Sequence, residues 1–407
     1  MGQETNQKKE KMNLKKTLET KAIDPAPSKP RFFNLSKKSD QIKVGKLIES
    51  KEVLHIVDDY REQLNELFSV NNPTKVFSPN LQKEFKEYIK KLEARQPLWQ
   101  QGNWAYYPWL ATLVHILVDK DFQLVRTTRN RNLINKDEQD KFYNSVIGIG
   151  GLSVGNNIAL SLVLQGGGRH LRLADMDTLA LSNTNRVRAG VQNLGLSKVD
   201  VTARQIYEIN PYARIELFSE GLNKENIAKF FAGPPKLDIV VDELDNLAVK
   251  VLIREEAKKN RIAVVMATDN GDNGLVDVER YDLDPETPFF HGRMGDVSYE
   301  KLINLDKMGI GKLIIQHIGV ETVTNRVRES MPEIGKTIVS WPQLGGAAIL
   351  NGSAVAYCVR KILNNQPIEN NRALVSLDEK LIPNYSSPQE KRKRTQSAEK
   401  FKRTFGF

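Results

Sequence analysis

The chain has 407 residues, a net charge of +10 and a single cysteine. At about 150 residues per domain this length allows two or three structural units, and one cysteine excludes an intramolecular disulfide and any zinc site built on CxxC motifs. No early apolar segment resembles a secretory signal and no apolar run approaches the roughly 18 residues of a membrane helix, so we expect a globular, cytoplasmic protein with no membrane partner.

The positive charge is concentrated at the two ends of the chain. Residues 1–38 contain ten Lys and Arg against four Asp and Glu, and residues 386–407 contain seven against two. Both ends are rich in Ser, Gln and Lys, a composition typical of solvated, disordered segments. We therefore predict disordered basic tails at 1–38 and 384–407, and we expect nucleic acid as a partner only through these tails.

Residues 39–140 combine helical and strand-like patterns. Apolar side chains recur at helical spacing in residues 80–95, an aromatic strand-like segment follows at 104–109, and apolar residues continue through 113–118 in the manner of a hairpin. No Lys or Arg alternates with these aromatic residues, which favours core packing over base stacking. This region is predicted to form a small N-terminal α+β unit.

From residue 141 to 383, short apolar strands alternate with helical stretches. This rhythm is typical of βαβ units that build a parallel sheet with helices on both faces. The predicted strands are residues 145–149, 170–174, 214–218, 238–241, 262–267 and 274–280. The predicted helices are residues 154–165, 198–209, 224–231, 248–259 and 345–363. We therefore predict an α/β fold with a doubly wound, Rossmann-like parallel sheet.

A glycine-rich loop follows the first strand of this predicted sheet. The sequence GIGGLSVG at 148–155 lies between a strand and a helix, where glycines let the backbone approach a phosphate and the helix N-terminus offers free N–H groups. Asp175 ends the second strand, where doubly wound folds hydrogen-bond a ribose hydroxyl. The loop and Asp175 together predict a nucleotide site, a feature that dehydrogenases share with many other enzymes.

Four polar residues beside the glycine loop distinguish an ATP-binding enzyme from a dehydrogenase. Asn183 and Arg186 follow the second strand, Lys198 opens the next helix, and Asp245 follows a later strand. Two cations there can hold a triphosphate, and a carboxylate can hold Mg²⁺ that bridges its oxygens. A dehydrogenase needs neither feature around its pyrophosphate, so the pattern favours ATP over NAD.

These motifs resemble the ThiF/MoeB family, whose adenylating fold is shared with ubiquitin-activating enzymes. The resemblance is carried by DMDTLALSNTNR at 175–186, by Lys198 and by DELDN at 242–246, and it is specific across residues 126–282. Such enzymes bind Mg-ATP, attack its α-phosphate with a carboxylate and release pyrophosphate. The resemblance therefore implies an ATP-dependent adenylyltransferase with Mg²⁺ as its metal.

The resemblance also assigns roles to individual residues. It implies that Asp175 holds the ribose, that Asp245 holds Mg²⁺, and that the phosphates are held by Asn183, Arg186 and Lys198. The family's loop pattern GxGGxG places Gly150 and Gly151 against the nucleotide. The last glycine of that pattern corresponds to Ser153 when the loop is aligned without a gap, or to Gly155 when two extra residues are allowed.

An element just before the first strand of the sheet implies a homodimer. NRNLI at 130–134 is similar to the family's NRQxI element, whose Arg reaches the γ-phosphate of ATP in the partner subunit. Arg131 would then be an arginine finger supplied in trans, with Arg126 and Arg129 as alternatives in a nearby register. Arg suits this role because its planar, permanently charged fork can stabilise charge on phosphate oxygens. The expected catalytic groups are therefore Arg131, Arg186 and Lys198.

The chain lacks the cysteine with which some family members form a thioester. Cys358 lies in an apolar helical context and is expected to be a buried structural thiol. We therefore expect an enzyme that stops at the acyl-adenylate or passes it to an external nucleophile. The expected substrate is the C-terminus of a ubiquitin-like or sulfur-carrier protein, or a small acyl compound. A NAD-dependent oxidoreductase and a nucleotide-binding interaction module without catalysis stay open as alternatives.

The five histidines divide into two groups. His55, His115, His170 and His317 lie in apolar or strand-like surroundings and are expected to be structural. His291 lies downstream of the predicted magnesium carboxylate and is a candidate for the acyl pocket.

Overall fold

The structure is a computed structural model that describes residues 14, 16, 18 and 26–406. Within these residues the chain forms two compact units. The first unit comprises residues 26–129 and 193–196, and the second comprises residues 130–192 and 197–406. Most of the predicted N-terminal tail lies outside the described residues.

The first unit is built on a four-stranded sheet with strand order β1-β3-β4-β2. Its strands are β1 (Arg31–Phe33), β2 (His55–Asp58), β3 (Asn103–Tyr107) and β4 (Thr112–Ile116), and its helices are α1 (Lys38–Glu49), α2 (Tyr60–Asn71), α3 (Leu81–Glu93) and α4 (Asp119–Arg126). β3 and β4 form an antiparallel hairpin, and Trp104 and Tyr106 are buried in the core. The predicted α+β unit, its hairpin and its aromatic core are therefore confirmed.

The second unit is built on a seven-stranded sheet with strand order β11-β10-β9-β8-β5-β6-β7. Its strands are β5 (Val146–Gly150), β6 (His170–Ala174), β7 (Arg214–Phe218), β8 (Ile239–Asp242), β9 (Ala263–Asn270), β10 (Asn273–Glu279) and β11 (Arg372–Val375). The five strands from β5 to β9 are parallel, and β10 and β11 add antiparallel partners at one edge. The predicted doubly wound α/β fold is confirmed.

Helices connect these strands and cover the sheet. They are α5 (Lys136–Asn144), α6 (Val154–Leu164), α7 (Lys198–Ile209), α8 (Ile227–Ala232), α9 (Leu247–Asn260), α10 (Tyr299–Ile303), α11 (Lys307–Ile318), α12 (Asn325–Ser330), α13 (Gly345–Leu363), α14 (Leu377–Leu381) and α15 (Pro388–Phe405). The strand order reverses between β5 and β8. In open α/β sheets, ligands bind outside the carboxyl ends of the strands at such a reversal. The glycine loop after β5 and the acidic segment after β8 flank this point.

The prediction of a disordered C-terminal tail is wrong, because most of residues 384–407 form the helix α15. Ala398 and Phe401 are buried against Ile315 and Val320 of the second unit. Apolar residues at three-residue spacing give the helix one buried face, and the charged residues occupy its solvent side. The high charge density of this segment hides that narrow apolar stripe in the sequence.

The predicted tail and domain boundaries also differ from the structure at the other end of the chain. β1 pairs with β3 in antiparallel register, so the ordered part of the first unit begins before residue 39. The second unit begins at residue 130 rather than at 141. Asn130 donates to the carbonyl of Gln165 at 3.0 Å, and Gln139 donates to that of Gly166 at 3.0 Å, which fastens the segment before β5 to this unit.

Among the helices of the described residues, none is long and apolar enough to cross a membrane.

Candidate active site

The glycine loop makes a close turn between β5 and α6. Gly151 has φ +82°, and a Cβ there would lie 2.2 Å from the carbonyl oxygen of Glu243, so only glycine fits. Its N–H donates to the carbonyl of Ala174 at 2.8 Å. The loop is thus fixed between the ends of β6 and β8, with Gly150 as the last residue of β5.

The two alternatives for the last glycine of the loop pattern have different surroundings. Ser153 lies directly before α6 and lines the cavity described below. Gly155 lies in the first turn of α6, where a Cβ would meet the side chain of Ile149 at 3.1 Å. Gly155 therefore permits close packing of helix on strand, whereas Ser153 lines the cavity.

Asp175 fastens the glycine loop. Its Oδ2 accepts the backbone N–H of Leu152 at 2.7 Å, and its Oδ1 accepts that of Asp177 at 2.8 Å. Burial raises the pKa of Asp175, and the two backbone hydrogen bonds and the charge of Lys198 offset part of that rise. This carboxylate holds the loop in shape, and its contact with a ribose stays a prediction.

Lys198 is held by the second Asp of the DMD motif. Its Nζ lies 2.7 Å from Oδ2 of Asp177 and 3.9 Å from Oδ2 of Asp175. The hydroxyl of Ser153 is 3.5 Å from the same Nζ. Lys198 is buried, so its ammonium group is placed beside the glycine loop with a carboxylate as its counter-ion. The sequence motif does not reveal this pairing of Lys198 with Asp177.

Asn183 and Arg186 lie in the turn that follows β6. The Oδ1 of Asn183 accepts the N–H of Ala180 at 3.0 Å, so this side chain shapes the turn. Arg186 donates from Nη1 to Asn185 Oδ1 at 3.0 Å and lines the cavity. Its buried Nε has no hydrogen-bond partner in the part of the chain that the structure describes, which leaves a donor for an anionic ligand.

A cavity of about 350 Å³ lies at the carboxyl ends of β5, β8 and β9. Its polar lining includes Ser153, Arg186, Glu243, Asp245, Lys250 and Asp269. Its apolar wall includes Leu247, Met266, Phe290, Met294, Ile318 and Trp341. The cavity thus joins a charged end, beside the glycine loop, to an apolar pocket. The lining contains three of the predicted site residues, Ser153, Arg186 and Asp245. It does not include Asp175, Asn183 or Lys198.

The two aspartates of the DELDN segment have different environments. Asp242 is fully buried and pairs with Arg254 at 2.6 Å and with Lys250 at 3.2 Å. Asp245 is exposed, and its side chain forms no hydrogen bond or ion pair with the described residues. Asp242 is therefore structural, and Asp245 is the carboxylate available to a ligand. Asn246 caps α9 by accepting the N–H of Ala248 at 3.0 Å.

A buried ionic network supports the apolar wall. Arg254 bridges Asp242 and Glu279, with its Nη2 at 2.7 Å from Glu279 Oε2. Its guanidinium lies 3.7 Å from the centre of the Phe290 ring. Glu279 in turn accepts the N–H of Phe290 at 2.7 Å. These contacts fix Phe290 from two sides, so the wall of the cavity is preformed.

Two further carboxyl groups of the cavity have raised pKa values. Burial raises the pKa of Glu243 well above its ordinary value, and its Oε1 accepts the N–H of Ala267 at 2.7 Å. Burial also raises the pKa of Asp269, which accepts hydrogen bonds from Asn351 at 2.6 Å and Gln343 at 3.2 Å. Asp245, by contrast, is open to solvent, which suits a carboxylate that must be ionised to bind a cation.

The donor set fits a magnesium ion that arrives with its nucleotide. Within the described residues, no group of three or more His, Cys, Asp or Glu side chains is placed to hold a metal ion alone. Mg²⁺ is usually bound through one or two carboxylates together with substrate phosphates. A single free carboxylate at Asp245, near Arg186 and the glycine loop, matches that mode.

The cavity is lined by a histidine other than the predicted one. His291 is the sequence candidate, but His317 is the histidine that lines the cavity. His317, Trp341 and Gln343 come from segments after residue 310, far from the motifs along the chain. No local pattern marks them, because they reach the cavity only through the packing of α11 and the segment before α13.

The remaining predicted groups lie outside the cavity lining. Arg131 is exposed and forms an isolated β-bridge with Ile134. In the first unit, Arg126 and Arg129 line an open depression of about 490 Å³. Cys358 lies half-buried in α13, and burial raises the pKa of its thiol to about 11. A thiol that stays protonated at neutral pH is a poor nucleophile, as expected for a structural cysteine.

Known proteins resemble parts of this chain. The uncharacterized protein MT1398 of Mycobacterium tuberculosis is 40% identical over 275 residues, which are 68% of this chain and 38% of that protein. The tRNA threonylcarbamoyladenosine dehydratase of Escherichia coli is 33% identical over 133 residues, 32% of this chain and 47% of that protein. The chain thus spans less than half the length of either relative.

A solved structure of the Escherichia coli dehydratase TcdA in complex with ATP matches 59% of this chain and 94% of its own, at 19% identity and a TM-score of 0.41. The ThiF family matches residues 127–397, a segment that contains the glycine loop and every cavity-lining residue named above. Because this match covers more than half of the sequence, the chain belongs to the ThiF family.

Proposed function

We propose that the protein is an ATP-dependent adenylyltransferase that converts a carboxylate into an acyl-adenylate and releases pyrophosphate. The observation that carries the proposal is the cavity that joins Ser153, Arg186 and Asp245 to an apolar pocket. A phosphate site and a pocket for the carboxyl substrate in one cavity would hold the two reactants next to each other. Such proximity accounts for much of the rate enhancement of a bimolecular reaction. Membership of the ThiF family supports the same reaction.

The charged end of the cavity would bind the triphosphate. Ser153 and Val154, at the start of α6, line this end of the cavity, and helix N-termini favour anions. Arg186 offers its unpartnered Nε, and Lys198 lies beside Ser153 of the loop. Asp245 would hold Mg²⁺, which when bound would neutralise charge on the phosphate oxygens. Asp175 and Asn183 complete the proposed nucleotide site at the ribose and the phosphates.

In the proposed reaction a carboxylate oxygen of the substrate attacks the α-phosphorus of ATP. A new P–O bond forms, the bond between the α-phosphorus and the bridging oxygen breaks, and pyrophosphate leaves with the electron pair. Arg186 and Lys198 stabilise the charge that builds up on the phosphate oxygens. In the free protein the ammonium group of Lys198 pairs with the carboxylate of Asp177. A bound phosphate would replace that carboxylate as the anionic partner of Lys198.

The proposed substrate is a narrow carboxylate-bearing group. A cavity of about 350 Å³ has room for a small acyl compound or for the extended C-terminus of a small ubiquitin-like or sulfur-carrier protein. Cys358 is half-buried with a raised pKa, so the proposed product is an acyl-adenylate that a second substrate consumes. We further propose a homodimer in which Arg131 completes the active site of the partner subunit.

Exchange of labelled pyrophosphate into ATP tests the proposal. The full chain is incubated with Mg-ATP, labelled pyrophosphate and a panel of carboxylates, including small ubiquitin-like proteins with intact and truncated C-termini. We expect exchange that depends on both Mg²⁺ and one class of carboxylate. Binding of ATP without exchange under every condition would instead support a nucleotide-binding module, and calorimetric binding of NAD in preference to Mg-ATP would support an oxidoreductase.

A further inference from the structure

His317 and Asp277 form a buried pair at the apolar end of the cavity. The Nε2 of His317 lies 3.2 Å from Oδ2 of Asp277. Both side chains are almost fully buried, with 3% and 1% of their surfaces exposed. His317 lies in the last turn of α11 and Asp277 in β10, so the pair joins a helix end to the sheet.

The orientation of this pair is fixed from several sides. The ring of His317 packs edge-on against Phe290, with the ring centres 5.4 Å apart. Arg372 lies opposite Asp277 in β11 and donates to the carbonyl of Ile318 at 2.7 Å. Burial alone would raise the pKa of Asp277, but the hydrogen bond from His317 and nearby positive charge outweigh it and lower that pKa. Asp277 is therefore an ionised acceptor that holds the imidazole in place.

The second ring nitrogen of His317 is free. With Asp277 ionised, Nε2 carries the proton and donates to the carboxylate, which leaves a lone pair on Nδ1. This Nδ1 is buried and has no hydrogen-bond partner among the described residues. Buried polar atoms usually have partners, so an orphaned nitrogen in a residue that lines the cavity indicates a position for a ligand group.

A buried histidine with a purely structural role looks different in the same protein. His115 is stacked between Tyr60 and Trp104, with ring centres 3.9 Å and 4.3 Å away. Its two nitrogens meet Asp58 at 2.9 Å and the carbonyl of Gln101 at 2.8 Å. Both nitrogens of His115 are satisfied and both ring faces are covered, whereas Nδ1 of His317 has no partner among the described residues.

We propose that His317, oriented by Asp277, is the general base that activates the second substrate for attack on the acyl-adenylate. This inference rests on the proposed function and names its second step. An Asp–His pair that removes a proton from a nucleophile is a recurrent arrangement in acyl transfer. It would take an incoming water, hydroxyl or amine, whose proton must be removed as it attacks.

The step balances without any further reactant. Nδ1 of His317 accepts the proton of the nucleophile while the nucleophile forms a bond to the acyl carbon. The bond between that carbon and the phosphate oxygen breaks, and AMP leaves with the electron pair. The proton then passes from His317 to solvent, which restores the base. The second substrate is itself the nucleophile in this step, so no cysteine of the enzyme is needed.

A preformed acyl-adenylate allows attack by the second substrate to be measured without the adenylation step. The probe is acetyl-adenylate, and AMP release is followed with water or with hydroxylamine as the nucleophile. Water needs a base, whereas hydroxylamine is reactive enough to attack without one. The variants are His317→Gln, Asp277→Asn and, as the control, His170→Gln, which changes the first residue of β6, at the end of the strand away from the cavity. The midpoint of thermal unfolding and ATP binding report whether each variant is folded.

We expect the wild-type chain to accelerate the water reaction above the enzyme-free rate. His317→Gln should slow that reaction about a hundredfold, the usual contribution of a general base, and should keep the hydroxylamine reaction within about threefold. Asp277→Asn should slow the water reaction by about tenfold because the ring loses its orienting partner, and His170→Gln should have no effect.

Three results would overturn the inference. Equal losses with water and hydroxylamine would show that His317 shapes the cavity rather than acting as a base. An unchanged water reaction in a folded His317→Gln variant would exclude the role, and so would a wild type that does not accelerate AMP release. Because acetyl-adenylate bypasses ATP, a protein that fails pyrophosphate exchange but passes this test disproves only the proposed first step.

Discussion

The ammonium group of Lys198 and the carboxylate of Asp177 form an ion pair with an Nζ–Oδ2 distance of 2.7 Å. Lys198 is almost fully buried, whereas 59% of the Asp177 side chain is exposed. A buried lysine needs an anionic partner, because an unpaired charge out of water is costly. Asp177 supplies that partner from the solvent side, where it can be exchanged for a phosphate.

This pair predicts that Asp177→Asn strengthens ATP binding. The substitution removes the carboxylate that competes with phosphate for Lys198, and we expect the Kd of Mg-ATP to fall by roughly threefold to tenfold, the scale of one partly exposed ion pair. Calorimetry at low ionic strength measures this change in the Kd of Mg-ATP. Asp200→Asn, in the first turn of α7, is the matched control for the change of charge. A weaker affinity in Asp177→Asn would mean that Asp177 takes part in binding.

Asp245→Ala should abolish Mg²⁺-dependent adenylation while leaving the fold intact. The side chain is exposed and makes no contact within the described residues that its loss would break, so we expect a change in the free energy of unfolding within about 0.5 kcal/mol. Pyrophosphate exchange should fall by about a hundredfold or more. Asp272→Ala, an exposed carboxylate in the turn between β9 and β10, should retain exchange. Pyrophosphate exchange at the wild-type rate in the Asp245→Ala variant would contradict the assignment of Asp245 as the Mg²⁺ ligand.

The sheet could be predicted from the sequence because its strands are continuous apolar runs between turn residues. Three predicted elements have the bounds found in the structure, namely the strands at 170–174 and 214–218 and the helix at 198–209. The glycine loop and Asp245 could also be predicted, since short motifs follow strands whose carboxyl ends must meet.

The cavity wall and the C-terminal helix could not be predicted in this way. Phe290, His317 and Trp341 become neighbours through tertiary packing, and their spacing along the chain carries no periodic signal. The pairing of Lys198 with Asp177 needs the geometry of a turn. In α15, the buried residues are Ala398 and Phe401, and so narrow an apolar stripe among charged residues resembles a solvated tail in the sequence.

Glu243 predicts a pH dependence of stability. Burial raises its pKa well above the ordinary value of 4.5, so the folded state favours the protonated form. The stability that this group contributes is fully present below about pH 4.5 and is lost as the pH rises through the folded-state pKa. Glu243→Gln keeps an oxygen for the N–H of Ala267 but carries no charge. It should raise the free energy of unfolding at pH 7 by on the order of 1 kcal/mol for each unit of pKa shift.

Denaturant titrations of both chains between pH 4 and 8 measure this difference. The two stability curves should converge below pH 4.5 and separate as the pH rises. Glu256→Gln, in α9 where Glu256 pairs with the exposed Lys259 at 3.1 Å, is the control for loss of a carboxylate. Parallel curves for the wild type and Glu243→Gln would mean that Glu243 is ionised at little cost.

Cys358→Ser should retain pyrophosphate exchange. The thiol is half-buried and its pKa of about 11 keeps it protonated at neutral pH, so it should neither attack an acyl-adenylate nor carry a substrate. We expect exchange within about twofold of the wild type, and no adduct sensitive to reducing agent after incubation with ATP and substrate. Mass spectrometry of the intact protein checks the second point, and an acyl group trapped on Cys358 would overturn the mechanism.

Arg131 predicts an active site that is complete only in a homodimer. Arg131→Ala should bind ATP but turn over about a hundredfold more slowly, since a lost cation on the transferring phosphates removes transition-state stabilisation. The variant Asp245→Ala is also inactive, but it keeps Arg131. In a two-fold dimer of one chain of each kind, one site combines an intact Asp245 with an intact Arg131 from the partner, and the other site lacks both.

Mixing the two inactive variants therefore restores activity if Arg131 acts in trans. Random exchange of subunits in an equimolar mixture makes about half of the dimers mixed, each with one working site, so about a quarter of the wild-type exchange rate is expected. Differently tagged chains and co-purification establish that subunits have exchanged. A double variant with Arg131→Ala and Asp245→Ala, mixed with wild type, is the control for dilution. Proven subunit exchange without recovery would show that Arg131 acts within its own chain or not at all.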